Sequence, residues 1–280
     1  MIKVIVALIS FLLTYLGFIT VSPQTIITKI ILIVGLLIAS ILVQVLLFFI
    51  SAFVLSLFVS SKKEYNHYNN FYRKVFYGYT KMILSLFGVK IKTEGLEKLP
   101  KDEPFVLYFN HKSNLDTFVI DVTLKNYPIV FVGKKSLFKI PFFGKIITKL
   151  GYISLDRSNI RSELVSIQKG INYINEKECS VGIAPEGTRN FEGKVLLDFK
   201  PGCFHLVTKT KAPLVIVVLT ETEKVKKNLL FKRHIVNMKV VDVIESKDYE
   251  NLKTNEISEI VKNKMYNELT NNQNNQLDAA

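Results

Sequence analysis

Asn110-His111-Lys112-Ser113-Asn114-Leu115-Asp116 sets a histidine five residues ahead of an aspartate, a pairing with the makings of acid–base chemistry. Inside one regular helix the two side chains would stand ~140° apart in azimuth and could not meet. If the histidine sits on a strand-end loop and the aspartate opens the next helix, the chain can fold back. The carboxylate then holds the Nδ1–H of the imidazole, and Nε2 is left as a general base. Ser113-x-x-Asp116 is equally a capping-box pattern ahead of the apolar run Phe118-Val119-Ile120. The two readings are compatible.

A second group, Pro185-Glu186-Gly187-Thr188-Arg189, follows the apolar run Ser180–Ala184. Its glycine allows close backbone approach to a ligand, and its arginine offers a planar fork for a phosphate. A tight turn with a surface arginine would look the same. Arg157 ends another β-rich run, Lys134 follows a third, and Lys200 precedes Pro201-Gly202. Each alone reads as a solvated charge, whereas several cations at one sheet edge would make a phosphate site. Other chemistries fail on spacing. The four histidines, His67, His111, His205 and His234, form no metal-ligand pattern. The sequence has no GxGxxG, Walker A or GxSxG signature.

These groups need a scaffold that brings strand ends together. From residue 89 onward, β-rich runs at Val89–Thr93, Phe105–Phe109, Ile129–Val132, Tyr152–Leu155, Ser180–Ala184, Leu214–Leu219 and Met238–Ile244 alternate with helical patterns near 116–125, 136–149, 158–177, 202–210 and 253–269. That alternation predicts an α/β fold, a mixed and mostly parallel sheet flanked by helices, over 89–270. Open sheets of this kind bind ligands beyond the carboxyl ends of their strands. The polar stretch 271–280 reads as a disordered tail.

The amino-terminal quarter is different in kind. Residues 1–61 hold two lysines, Lys3 and Lys29, and no acid, leaving 25 uncharged residues between the two and 32 more before Lys62. Each run exceeds the ~20 apolar residues that span a bilayer core. Ser22-Pro23-Gln24 reads as the turn between them, so 1–61 is expected to be a membrane-embedded helical hairpin that either crosses the bilayer or enters one leaflet. Lys62, Lys63, Arg73 and Lys74 flank the second run and place the body in the cytoplasm by the positive-inside tendency. Over 62–88, Tyr65, Tyr68, Tyr72, Phe76, Tyr79, Ile83 and Leu86 recur at helical spacing. They predict an interfacial helix, or an amphipathic helix packed on the domain.

Removing Lys3 and Lys29 leaves 35 basic and 24 acidic residues beyond position 61, a net of +11 of the chain's total of +13. An apolar head on a basic body suits a membrane enzyme facing an anionic membrane surface, and gives a nucleic-acid-binding domain no reason for the head. A hydrophobic fraction of 49% excludes intrinsic disorder. Two cysteines, Cys179 and Cys203, with no CxxC exclude a disulfide scaffold.

Taken in order, the blocks resemble the 1-acylglycerol-3-phosphate acyltransferase family of glycerophospholipid synthesis. Asn110-His111-x-Ser113-x-x-Asp116 fits its NHxSxxD block, and Glu186-Gly187-Thr188-Arg189 is identical to its EGTR block. Gly151-Tyr152-Ile153-Ser154-Leu155-Asp156-Arg157 looks like the second block, and Asp198-Phe199-Lys200-Pro201-Gly202-Cys203-Phe204-His205 like the FKxGxFH continuation. Gly133-Lys134-Lys135-Ser136-Leu137-Phe138, with Pro141-Phe142-Phe143-Gly144, resembles the connecting segment. Ala212-Pro213-Leu214-Val215-Ile216 keeps the first proline of the fourth block and has Ile216 in place of the second, while Ala184 replaces the usual aromatic before PEGTR.

The resemblance covers roughly residues 65–220 and implies acyl transfer from acyl-CoA or acyl-carrier protein, as co-substrate rather than cofactor, to lysophosphatidate. It implies His111 and Asp116 as the catalytic pair. Arg157, Glu186, Gly187, Thr188, Arg189, Lys200 and Lys134 would bind substrate, with Glu186 ordering the cluster or the glycerol. The alternatives are the same chemistry on glycerol-3-phosphate or another lysolipid, and a non-enzymatic lipid-binding protein on the same fold.

Overall fold

A computed structural model describes residues 12, 15–17, 25–60, 63, 65, 69–156, 160–225 and 233–278, and the chain divides into two units, residues 1–60 and 61–280. In the first unit, helix α1 (Ile26–Leu57) runs for 32 residues with a mean hydropathy of 3.1 in its most apolar window. At 1.5 Å per residue that is ~48 Å, more than the ~30 Å of a bilayer's hydrocarbon. A capping box starts it: Thr25 Oγ1 accepts the N–H of Thr28 at 3.2 Å, and the N–H of Thr25 donates to Thr28 Oγ1 at 3.1 Å. The turn expected at Ser22–Gln24 and most of the first apolar run lie outside the described residues. Gly17 is described and lies so close to α1 that a Cβ there would stand 2.5 Å from Leu36 Cδ1.

The second unit is a seven-stranded sheet with helices on both faces. Its strands are β1 (Val89–Glu94), β2 (Val106–Phe109), β3 (Ile129–Lys134), β4 (Ile153–Leu155), β5 (Ser180–Ile183), β6 (Leu214–Thr220) and β7 (His234–Ile244), in the order β1-β7-β6-β2-β5-β3-β4. Among the described residues, only the β6–β7 pairing is antiparallel. The carboxyl ends of β2 to β6 therefore share one edge.

Side-chain alternation divides the core. Val106, Tyr108, Leu214, Ile216 and Val218 face helices α5 (Ile160–Asn175), α6 (His205–Thr210) and α8 (Thr254–Asp278). Leu107, Phe109, Val215, Val217 and Leu219 face α2 (Asn70–Leu86) and α3 (Asp116–Thr123). Strand β2 is buried on both faces, which is why it reads as an unbroken apolar run. The short helices α4 (Phe143–Lys149) and α7 (Ser246–Tyr249) complete the unit.

Four expectations change. The helix expected over 136–149 is a 3-10 turn, Lys135–Lys139, followed by α4, because Pro141 interrupts the pattern. Likewise 202–210 divides into a 3-10 turn at Pro201–Phe204 and the short α6. Helix α8, anchored by buried Ile257, Val261, Met265 and Leu269, carries on to Asp278 through the stretch expected to be disordered. Helix propagation from an anchored segment is far easier than nucleation, and Asn and Gln are tolerated within it.

Helix α2 is present, with a different buried face from the expected one. Tyr72, Arg73, Phe76, Thr80 and Leu84 turn inward, while Leu86 is exposed. Arg73 sets that register by pairing with Asp121 of α3 and donating from Nη1 to the Ile129 carbonyl at 3.0 Å. Thr80 Oγ1 donates to Asp121 Oδ2 at 3.2 Å. Burial pushes the Asp121 carboxyl above its ordinary range, and the Arg73 charge opposes that rise.

Candidate active site

Strand β2 ends at Phe109, and the next residue continues the sheet with its side chain. Asn110 is fully buried; its Nδ2 donates to the Leu219 carbonyl at 2.9 Å and its Oδ1 accepts the Leu219 N–H at 2.7 Å. An amide side chain reproduces the donor and acceptor of a peptide, so it pairs with β6 while the backbone is released into the loop. The sequence reading gave Asn110 no role of its own. A short amide directly after an apolar strand is the signal that could have found it.

The released chain folds back as the base-pair reading requires. His111 Nδ1 lies 2.8 Å from Asp116 Oδ2. That same oxygen accepts the N–H groups of Lys112 and Ser113, each at 2.8 Å. Asp116 is fully buried and opens α3, while 23% of the histidine side chain remains accessible. With Nδ1–H donating to a carboxylate, the Nε2 lone pair is left for a substrate proton. Half of the capping box is also made. Asp116 accepts the Ser113 N–H, whereas Ser113 Oγ accepts from Leu115 at 3.3 Å rather than from Asp116.

The EGTR loop reaches the histidine through its backbone. Strand β5 lies beside β2, so the two carboxyl-end loops are neighbours. Glu186 Oε1 accepts the His111 N–H at 2.7 Å, and Oε2 accepts the Leu197 N–H at 3.0 Å. The Asn190 N–H donates to the His111 carbonyl at 2.8 Å. Both backbone polar groups of His111 are therefore held by residues 186–190.

Glu186 is 2% exposed with both oxygens committed to N–H groups, which makes it a brace of the cluster in this structure rather than an open ligand. Burial pushes its carboxyl above the usual range, and the two backbone N–H groups pull the other way. Gly187 adopts φ +71° as its N–H closes a tight turn onto the Ala184 carbonyl at 3.0 Å, a conformation that only glycine takes without strain.

The cations are less closely tied. Arg189 is half-buried, with its guanidinium carbon 4.7 Å from the ring centroid of exposed Phe191, a contact the sequence reading missed. Thr188 is exposed beside it. Lys200 has an exposed side chain on backbone fixed by its N–H to the Pro185 carbonyl at 2.8 Å. Lys134 is exposed at the carboxyl end of β3. Arg157 lies outside the described residues, directly after β4 and Asp156. Asp156 in turn accepts from Lys135 Nζ at 2.8 Å. Of these, Thr188, Arg189, Lys200 and Lys134 stand on the edge that carries His111.

A family model described as Acyltransferase matches residues 90–220, from β1 to the end of β6. The 1-acyl-sn-glycerol-3-phosphate acyltransferase of Borreliella burgdorferi is 33% identical over 175 residues, which cover 61% of this chain and 69% of that one. The chain belongs to the 1-acyl-sn-glycerol-3-phosphate acyltransferase family. The acyltransferase of the same name from Saccharomyces cerevisiae is 30% identical over 201 residues, 70% of this chain and 64% of the relative. The match to the Limnanthes douglasii acyltransferase spans about half of each protein, 50% of this chain and 49% of that one, at 33% identity. The fold is that of the crystal structure of the 1-acyl-sn-glycerophosphate acyltransferase of Thermotoga maritima, with a TM-score of 0.59 and 22% identity over 72% of this chain and 79% of that one.

Proposed function

We propose that this acyltransferase moves a fatty acyl group from an acyl thioester to the free sn-2 hydroxyl of 1-acyl-sn-glycerol-3-phosphate, giving phosphatidic acid. The observation that carries the reading is His111, with Nδ1 bound to buried Asp116 and its backbone fixed at both ends by the EGTR loop. Nε2 takes the proton of the acceptor hydroxyl as its oxygen attacks the thioester carbonyl. Asp116 stabilises the imidazolium that forms. The tetrahedral intermediate collapses to the ester and the imidazolium returns its proton to the departing thiolate. The hydroxyl of the acceptor stands where a serine nucleophile would, so no acyl-enzyme is formed.

Arg157, Arg189 and Lys200, with Lys134 as a fourth cation, hold the phosphate and fix the hydroxyl for attack. Glu186 acts through His111, and Gly187 and Thr188 form the turn beside it. The donor is acyl-CoA or an acyl-carrier protein, both acidic partners for a basic body. The apolar head, with α1 as its described helix, keeps the enzyme in the membrane where the lysolipid resides, with the catalytic unit on the cytoplasmic side.

The test is incubation of the purified full chain with lysophosphatidate and each donor class, read by product mass spectrometry. Phosphatidate from at least one donor is expected. Acylation of glycerol-3-phosphate with none of lysophosphatidate would replace the acceptor, and no product from any pair would overturn the reading.

A further inference from the structure

Between Asp121 and Asp156 the sequence has six lysines and no acidic residue. The middle of this stretch, 134–141, links β3 to α4 on the edge that carries His111, and of its side chains only Phe138 is not exposed. Leu137 and Ile140 are 38% and 45% exposed, set among Lys134, Lys139 and Lys135, the last of which is paired with Asp156 at 2.8 Å. The turn is built rather than loose. Gly144 packs so tightly on it that a Cβ would lie 2.2 Å from the Phe138 carbonyl oxygen, and the Gly144 N–H donates to the Ile140 carbonyl at 2.8 Å. Phe142 is held at φ +61°, a strained backbone for a bulky side chain. Phe143 turns inward, its ring 6.2 Å from that of Phe76 on α2. Leu137 and Ile140 are thus held outward.

We propose that the 134–141 turn is a second membrane contact of this chain, seated in the headgroup layer of an anionic leaflet and distinct from the apolar head. A bilayer surface supplies both halves of the complement at once, an anionic layer for the lysines and an apolar layer beneath for Leu137 and Ile140. Nearby groups carry the same chemistry. At the far end of α4, Lys149 Nζ lies 4.1 Å from the Tyr65 ring centroid and 5.9 Å from that of Tyr72, the lysine and tyrosine pairing that suits a membrane interface. The contact brings the edge bearing His111 to the leaflet. The proposal rests on the membrane placement proposed above and is independent of the acyl-transfer chemistry.

The chain has no tryptophan, so each introduced one is a unique reporter. Leu137→Trp, Leu42→Trp in α1 and Tyr266→Trp in α8 are reconstituted as full chains in phosphatidylcholine vesicles, with or without phosphatidylglycerol, and quenched with brominated lipid. Leu42→Trp is expected to be quenched in both vesicles. Leu137→Trp should be quenched at least about twofold more than Tyr266→Trp in anionic vesicles, with the excess shrinking in high salt or with Lys139→Glu. Quenching of Leu137→Trp no greater than that of Tyr266→Trp, beside a quenched Leu42→Trp, overturns the contact and leaves the head in the membrane. No quenching at any position overturns the membrane placement itself. A blue shift of Leu137→Trp with acyl-carrier protein, and no response to brominated lipid, assigns the surface to a protein and also overturns the contact.

Discussion

Asp116→Asn separates the catalytic reading of this residue from the capping one, and the geometry sets its size. Three donors converge on Oδ2, whereas Oδ1 is buried with no hydrogen-bond partner among the described residues. An asparagine therefore keeps its carbonyl oxygen at the Oδ2 place, preserving the Lys112 and Ser113 bonds, and turns its NH2 into the unpartnered position. Burying that amide group costs about 1–3 kcal/mol of stability, which a folded variant can bear. The loss to catalysis is the charge. An imidazolium 2.8 Å from a carboxylate gains about 6 kcal/mol at an effective dielectric of ~20, and solvent reaching a ring that is 23% exposed cuts this to roughly half. About 3 kcal/mol at the transition state corresponds to a roughly hundredfold lower kcat. The assay is initial rate against lysophosphatidate, with thermal melting of the same preparation. A kcat within about threefold of wild type would refute the assigned role of Asp116. A kcat that falls only in step with the melting temperature would return the residue to helix capping.

Arg73→Met leaves Asp121 buried without its cation and is expected to lower stability by about 3–5 kcal/mol in urea unfolding, where a loss below about 1 kcal/mol would deny the pair its part in seating α2. Glu186→Gln keeps the shape but turns an NH2 toward either the His111 or the Leu197 N–H, so kcat should fall along with about 1–3 kcal/mol of stability. Because burial raises the Glu186 carboxyl, the native state holds this proton more tightly than the unfolded chain. Its contribution to stability is complete below the ordinary glutamate value and is lost as pH rises through the elevated one, so the melting temperature should decline less over that window in Glu186→Gln than in wild type. Arg189→Lys and Arg157→Lys should raise KM for lysophosphatidate, since an ammonium lacks the bidentate fork, and unchanged kinetics in both would remove these arginines from the phosphate site.

Much of this protein was legible because local pattern reports local burial. All seven strands lie within a few residues of their apolar runs, and the alternation of strand and helix implied the parallel core and a site at the strand ends. The 32 uncharged residues between Lys29 and Lys62 likewise announced a long apolar helix. The ordered NHxSxxD and EGTR blocks pointed to the family, and that resemblance implied the His111–Asp116 pair, which spacing alone left open to a capping box.

The tertiary structure alone decided how buried polar atoms are satisfied. Asn110 joins a backbone 109 residues away, Glu186 braces the histidine across 75 residues, and Arg73 turns α2 by reaching the Ile129 carbonyl 56 residues on. Hydropathy periodicity carries no trace of such partners, since an arginine or glutamate scores as surface until a distant group makes its burial tolerable. The bends at Pro141 and Gly187 were marked by residue type, but which chain each bend would bring against the site was not. Sequence thus determined the elements and the reacting groups. Long-range hydrogen bonds, whose donors and acceptors meet only once the sheet is ordered, determined how His111 is aimed.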